Sequence, residues 1–223
     1  MTIRFDAFEA QGAKLPVVRR RPSFYDKYGK RAFDLALVLL ALPAVLPVIA
    51  LLALMVALSG GKPIYSQPRV GLNGREVRIF KLRTMIPNAD RVLAQHLEDN
   101  PEARAEWDLK QKLSHDPRIT AFGSFLRKSS LDELPQLLNV LKGEMSLVGP
   151  RPMLPEQQAL YPGKAYGLMR PGITGSWQVS DRNLSSFASR AAFDTQYYED
   201  LTLKEDVALL GKTMVVVMRG TGC

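Results

Sequence analysis

Cysteine and histidine are almost missing from this chain. Cys223 is the single cysteine, and His96 and His115 are the whole imidazole supply. An intramolecular disulfide and a cysteine metal cage are excluded, as are a three-histidine zinc site and any catalysis built on several histidines. Cys223 is the last residue, so the sequence does not match a prenylation signal, which needs cysteine four residues from the end. Acidic residues are also short: 22 Asp and Glu face 30 Lys and Arg, a net charge of +8. Such a surplus attracts polyanions, but aromatics are only 8% and do not interleave with Arg19-Arg20-Arg21. With no reader motif either, nucleic acid is not the expected partner. At 46% hydrophobic and 23% charged, the 223 residues have the balance of a chain that folds, as one main domain with an appendage. Acid–base or phosphate chemistry must come from Asp, Glu, Lys and Arg.

What the chain does have is an uninterrupted apolar run. Leu35 to Leu58 contains only apolar residues and proline, which meets the length criterion for a membrane segment. A buried core helix would keep a polar face, and this run has none. Pro43 and Pro47, near its middle, each remove an i→i−4 hydrogen bond and clash with the preceding turn. The flanks are both basic: Arg19, Arg20, Arg21, Lys27, Lys30 and Arg31 before the run, and Lys62, Arg69, Arg75, Arg78, Lys81 and Arg83 after it. Positive flanks mark the cytoplasmic side. A helix that enters and returns on one face satisfies both flanks, whereas a spanning helix satisfies one. The sequence therefore predicts a re-entrant helix–break–helix over residues 26–61, a flexible basic arm over 1–25 and a cytosolic domain over 62–223.

Along that domain, Gly60-Gly61-Lys62-Pro63 ends the membrane helix; with Pro63 after the lysine it is not a phosphate loop. Val77 to Met85 reads as a strand after the turn Gly71–Gly74. Its Val77, Ile79, Lys81, Arg83 and Met85 share a face that becomes doubly basic at the end. Residues 88–99 and 101–114 read as helices, the second opened by Asn100-Pro101, and 120–128 as a short one. A further helix places Leu134, Leu137, Leu138 and Leu141 on one face and stops at Gly143. Ser185 to Tyr198 and a final helix capped by Thr202-x-x-Glu205 complete an α/β class chain, an α-rich α+β fold with a small sheet and amphipathic interfacial helices.

The sharpest local feature is Ser130-Leu131-Asp132-Glu133-Leu134-Pro135-Gln136, two adjacent carboxylates at a helix start. Ser130-x-x-Glu133 is also a capping box, an ordinary structural use of such residues. The surrounding cations point further. Lys81 and Arg83 end a basic strand face, Arg127 lies five residues before Asp132, and Arg151 is clamped between Pro150 and Pro152, which fix the backbone. Carboxylates beside Arg and Lys suggest phosphoryl transfer, with one carboxylate as nucleophile and the other holding a divalent metal. Mg²⁺ suits carboxylates plus phosphate oxygens.

These residues carry a resemblance. Lys30-Arg31-x-Phe33-Asp34, Phe80-Lys81-Leu82-Arg83-Thr84-Met85, Asp116-Pro117-Arg118-Ile119-Thr120, Ser130 to Leu137, Leu141-Lys142-Gly143-Glu144-Met145-Ser146, Val148-Gly149-Pro150-Arg151-Pro152 and Arg170 to Gly175 stand in the order found in the bacterial sugar transferases. The chain resembles their small monotopic phosphoglycosyl transferases over residues 25–220. The resemblance implies transfer of a hexose 1-phosphate, galactose or glucose, from a UDP-sugar to undecaprenyl phosphate with release of UMP, as in exopolysaccharide synthesis. It implies Asp132 as nucleophile, Glu133 with Asp132 as the Mg²⁺ ligands, Lys81, Arg83, Arg127 and Arg151 on phosphates, and Gln178, Arg182 and Asn183 near the nucleotide. Leu46-Pro47 stands where the family often has Ser-Pro, and Asp181 where Gly often precedes Arg-Asn. The implied location is the bacterial inner membrane, with the catalytic domain cytoplasmic and the bilayer itself a partner. The competing reading is a non-catalytic basic adaptor on anionic lipid, each Lys or Arg adding about 1 kcal/mol. The Val-rich stretch from Met214 to Met218 is an apolar patch that allows a homo-oligomer.

Overall fold

A computed structural model describes residues 23–60, 62–180 and 186–219. Most of the expected arm lies outside the described residues, but its end does not. Tyr25–Gly29 is already a helical turn and runs directly into α1, Lys30–Leu58. The hairpin β1, Ile64–Val70, and β2, Glu76–Leu82, follows. Next come α2, Ala89–Asp99, α3, Pro101–Lys110, and α4, Ala121–Lys128. A 3₁₀ turn over Leu131–Gln136 leads into α5, Leu137–Lys142. Then come β3, Ser146–Val148, β4, Gly172–Thr174, α6, Ser176–Val179, α7, Arg190–Asp200, and α8, Leu203–Met218. The described residues are mostly helical with two small sheets, compatible with the expected α-rich α+β class.

The apolar run corrects one expectation. Pro43 and Pro47 both lie inside one continuous helix rather than at a break. Proline is four residues from proline, so both missing hydrogen bonds fall on the same face. The neighbouring turns keep the remaining ladder, and the chain stays helical. Leu40 is 78% exposed and Leu58 80%, and Leu39, Leu46, Leu51 and Leu54 are exposed as well. The helix buries a narrow stripe at each end instead. Val38 packs with Ile79, Leu137, Val140 and Met145, whereas Leu52 and Val56 pack with Leu82 and Leu126. Eighteen residues separate Val38 from Val56, about 27 Å along a straight helix. Both ends nevertheless rest on one body, through Ile79 and Leu82 of the same strand.

The hairpin is antiparallel, with Tyr65 opposite Lys81 and Ile64 opposite Leu82. Asn139, fully buried on α5, ties the helix to β2: its Nδ2 donates to the Arg78 carbonyl at 2.7 Å, and its Oδ1 accepts from Phe80 N at 3.0 Å. Gly143 ends α5 at φ 80°, where a side chain would be strained. Thr202 caps α8 by accepting from Glu205 N, as the sequence implies, and Thr120 caps α4 by accepting from Gly123 N. Leu138 departs from its expected face and is exposed, because α5 begins only after the 3₁₀ turn and the register shifts. Helix α7 begins at Arg190, later than the sequence suggests.

Strands β3 and β4 are parallel and depend on close backbone contact. Gly149 N donates to the Thr174 carbonyl and Gly172 N to the Pro150 carbonyl, both at 2.8 Å. A Cβ on Gly149 would stand 2.4 Å from the Arg170 carbonyl oxygen, and one on Gly175 would stand 2.1 Å from that of Gly149. Only hydrogen fits there, and the fit clamps Pro150-Arg151-Pro152 against the Arg170–Gly175 loop. Gly149→Ala is therefore expected to lower the melting temperature by several degrees, which a thermal melt in detergent measures, whereas Gly167→Ala, which meets no neighbouring atom within 4 Å, is expected to leave it within about a degree.

A polar knot joins the two ends of the described chain. Asp206, fully buried on α8, accepts from the Tyr25 hydroxyl at 2.5 Å, the Lys30 ammonium at 2.7 Å and the Tyr197 hydroxyl at 2.6 Å. Asp34 accepts from the Ser146 hydroxyl at 2.7 Å and from Leu147 N at 3.2 Å. Removing one partner of a buried ion pair strands the other charge, at a cost of about 3–5 kcal/mol. Asp206→Ala is expected to cost that much in chemical denaturation, and Asp206→Asn, which keeps an acceptor, distinctly less.

Candidate active site

The acidic pair owes its aim to the geometry of its turn. A 3₁₀ turn repeats every three residues, so Leu131 and Leu134 share one side and pack against Leu52, Val56, Leu82 and Leu126. Asp132 and Glu133 are left for the sides facing β2. There strand alternation supplies Lys81, on the face of Val77 and Ile79. Its Nζ lies 2.6 Å from Glu133 Oε1 and 3.9 Å from Asp132 Oδ2. Arg151 reaches Glu133 Oε1 with Nη2 at 3.6 Å. Arg127 acts on both carboxylates by its charge and is held by a 2.9 Å bond from Nε to Thr84 Oγ1. Thr84 can hold it because α4 starts tightly against the Thr84 backbone at Gly123, where a Cβ would stand 2.0 Å from the carbonyl oxygen.

The expected capping box is absent. Ser130 sits at φ 56° and makes no side-chain cap bond, because a box needs an extended N-cap. The cations, rather than a long helix N-terminus, therefore set the charge states. Burial pushes Glu133 up, but Lys81, then Arg151, together pull it down to about 2. Burial dominates at Asp132 and raises its pKa; the Glu133 charge adds to the rise, and Lys81, Arg127 and Arg151 oppose it. One carboxylate is thus firmly ionised beside one that holds its proton longer. The 3.9 Å from Lys81 to Asp132 is too long for a hydrogen bond, so Asp132 keeps an oxygen able to attack.

Lys81, Arg127 and Arg151 come together as expected; Arg83 does not. Strand β2 ends at Leu82, alternation stops, and Arg83 turns back to donate to the Gly60 carbonyl. Gln178 is buried, with Nε2 donating to the Ile173 carbonyl at 2.8 Å. Arg182 and Asn183 lie outside the described residues. Asp116 and Arg118 form a tight pair at 2.7 Å, with Arg118 5.5 Å over the Trp107 ring, so this motif holds structure beside Arg127. Among the described residues no three acidic, Cys or His groups gather to hold a metal. The adjacent Asp132 and Glu133 nevertheless fit Mg²⁺, which takes few protein ligands and completes its shell with phosphate oxygens and water. Two arginines escaped the sequence reading: Arg69 on β1 and Arg190 at the start of α7, whose charges act on Arg151. Neither belongs to a run or a proline clamp, which left strand alternation at Arg69 as the one available sign.

Comparison with known proteins points to one family. A model of the family described as bacterial sugar transferase matches residues 25–220. The UDP-galactose-lipid carrier transferase of Erwinia amylovora is 47% identical over 88% of this chain and 42% of its own length. The exopolysaccharide production protein ExoY of Sinorhizobium fredii is 46% identical over 86% of this chain and 87% of its own. The UDP-glucose:undecaprenyl-phosphate glucose-1-phosphate transferase of Escherichia coli is 34% identical over 83% of this chain and 39% of its own. The chain thus spans less than half of the Erwinia and Escherichia proteins and most of ExoY. With its motifs in order, its carboxylates beside Lys81 and Arg151, and the family model covering nearly all of it, the chain belongs to the bacterial sugar transferase family.

Proposed function

We propose that the chain transfers a hexose 1-phosphate from a UDP-sugar to undecaprenyl phosphate through a covalent intermediate on Asp132. The observation that carries this reading is the Asp132–Glu133 pair, Asp132 buried and Glu133 half-buried, facing Lys81 and Arg151. An Asp132 oxygen attacks the sugar-bearing phosphorus. The O–P bond forms as the bond to the bridging oxygen breaks, and UMP leaves with the electron pair. An oxygen of the lipid phosphate then attacks the same phosphorus and Asp132 leaves as a carboxylate. Two displacements let one fixed carboxylate meet each phosphate in turn. Lys81, Arg151 and Arg127 offset the charge at both stages. Mg²⁺, held by Glu133 and Asp132, would add charge neutralisation at the phosphate oxygens. The names of the relatives favour galactose or glucose as the hexose, and exopolysaccharide as the product's destination.

The helix reading supports a membrane-facing site. Both ends of α1 pack on the catalytic body, and a helix crossing the bilayer would carry them to opposite sides. A bend at the proline face that returns the chain to the cytoplasmic side fits both contacts and both basic flanks. The exposed Met214, Val215 and Met218 give α8 an apolar face that the bilayer or a second copy can cover. In a Cys223→Ser background, Lys27→Cys and Tyr65→Cys should both be labelled by an impermeant thiol reagent from the cytoplasmic side of inverted vesicles. Labelling from opposite sides would refute the bend.

A panel of UDP-sugars with undecaprenyl phosphate, scored for UMP, tests the activity itself. Radiolabelled sugar phosphate should attach to the protein with the right UDP-sugar alone, and Asp132→Asn should abolish both attachment and turnover. If UMP appears only with lipid phosphate present and no labelled protein is trapped, direct displacement replaces the covalent route. Glu133→Gln should lose activity with at best partial rescue at high Mg²⁺, and full activity in excess chelator would refute a metal role.

The pH dependence has a definite sign. The nucleophile works ionised, and Asp132 holds its proton above the usual aspartate value. Labelling should therefore fall away on acidification at a pH above the ordinary aspartate pKa of about 3.9. Glu133, at about 2, stays ionised through that range and contributes no limb.

A further inference from the structure

One apolar cluster brings three arginines together. Val70, Met153, Tyr166 and Phe187 are buried against one another. Arg69 precedes Val70, Arg151 lies two residues before Met153, and Arg190 lies three after Phe187. Main-chain and side-chain bonds lock this arrangement: Val70 N donates to the Met153 carbonyl at 3.0 Å, and the Tyr166 hydroxyl donates to the Val70 carbonyl at 2.5 Å and accepts from Met153 N at 3.2 Å.

The arginines are held with little neutralisation. The Arg190 guanidinium stacks over Trp177 at 4.1 Å and over Phe187 at 4.5 Å, which fixes its plane; the carboxylate whose charge acts on it, Asp194, is pushed by burial up to about 7 and so is partly protonated near neutral pH. Arg69 donates from Nη2 to Gln67 Oε1 at 2.6 Å, a neutral partner. The Nε atoms of both arginines are buried and without a hydrogen-bond partner among the described residues. Burial, then the charge of Arg151, pushes Arg190 down to about 9 and Arg69 down to about 10. Three like charges around one spot, with two donors unused, is an unfavourable arrangement for a protein standing alone. An anion resolves both defects at once, and planar guanidinium forks suit phosphate oxygens.

We propose that Arg69 and Arg190, with Arg151, bind the nucleoside-side phosphate of the UDP-sugar, the group that departs as UMP. This deepens the transferase reading and rests on it. Arg151 touches Glu133 on one side and acts on Arg69 and Arg190 on the other. A diphosphate laid across it puts the sugar-bearing phosphorus at Asp132 and the second phosphate at the arginine pair. When the bond to the bridging oxygen breaks, the added negative charge appears on the departing phosphate, where Arg69 and Arg190 receive it.

UMP binding to the purified full-length chain, measured by isothermal titration calorimetry, tests this, together with steady-state kinetics. Arg69→Gln and Arg190→Gln should each weaken UMP binding by about ten-fold or more, with Arg190→Lys in between. In a two-step reaction kcat/KM for the UDP-sugar reports the first half alone. It should fall in step, while kcat/KM for undecaprenyl phosphate stays within about two-fold. The melting temperature without ligand should hold or rise in the Gln variants, since each relieves repulsion. Unchanged UMP affinity in the variants overturns the inference, as does a loss confined to undecaprenyl phosphate, which would give the cluster to the lipid headgroup. A large fall in melting temperature with unchanged kinetics would make the arginines structural and overturn it too. If Arg190→Gln does not fold, Arg69→Gln and Arg190→Lys decide by the same readings. A wild-type chain that neither binds UMP nor releases it from any UDP-sugar overturns the transferase reading itself, a result distinct from variants that bind as well as wild type.

Discussion

The structure is organised around the cost of burying two neighbouring carboxylates. Asp132 and Glu133 are adjacent and shielded from water, and two negative charges in a weak dielectric repel strongly. The arrangement survives because cations converge from three separate elements: Lys81 from β2, Arg127 from α4, and Arg151 from the proline-clamped segment after β3. Each requirement reaches outward. Lys81 needs the hairpin to hold its register, Arg127 needs α4 tight on Thr84, and Arg151 needs the glycine contacts between Gly149, Gly172 and Gly175. The fold is thus a frame that delivers positive charge to one turn.

The asymmetry inside the pair is what makes it chemically useful. Lys81 favours Glu133 by more than an ångström over Asp132, so the charge compensation goes chiefly to one carboxylate. Glu133 becomes a fixed anion, while Asp132 is left nearly free of short contacts. In the proposed mechanism, equal sharing of Lys81 would tie up the attacking oxygen. The division of labour follows from the wide rotation, about 120°, between successive residues of a 3₁₀ turn.

Much of this was legible in the sequence, and for definable reasons. Lys81 followed from strand alternation, Arg151 from its flanking prolines, Thr202 and Gly143 from capping chemistry, and α1 from its composition. These are local rules. Arg83 stands apart from the cluster because alternation was extended three residues past the last β2 pair, and the Ser130 capping box failed because a capping pattern does not reveal a left-handed backbone. Arg69 and Arg190 are separated by 121 positions and meet only through tertiary packing on Val70, Met153 and Phe187. The continuity of α1 through two prolines was likewise hidden, because proline's local penalty says nothing of the packing that keeps the flanking turns helical.

The Asp206 knot bears on the order in which the chain assembles. Lys30 and Asp206 are 176 residues apart, so at roughly 5–20 residues per second about nine to thirty-five seconds separate the synthesis of the two. Ile79, Leu82, Leu126 and Val140, on which the apolar helix packs, are all made within that interval. Apolar docking can therefore begin while Lys30 still lacks its buried carboxylate, and closure of the knot by α8 comes afterwards. The ion pair is a late fastening on a contact that hydrophobic packing has already made.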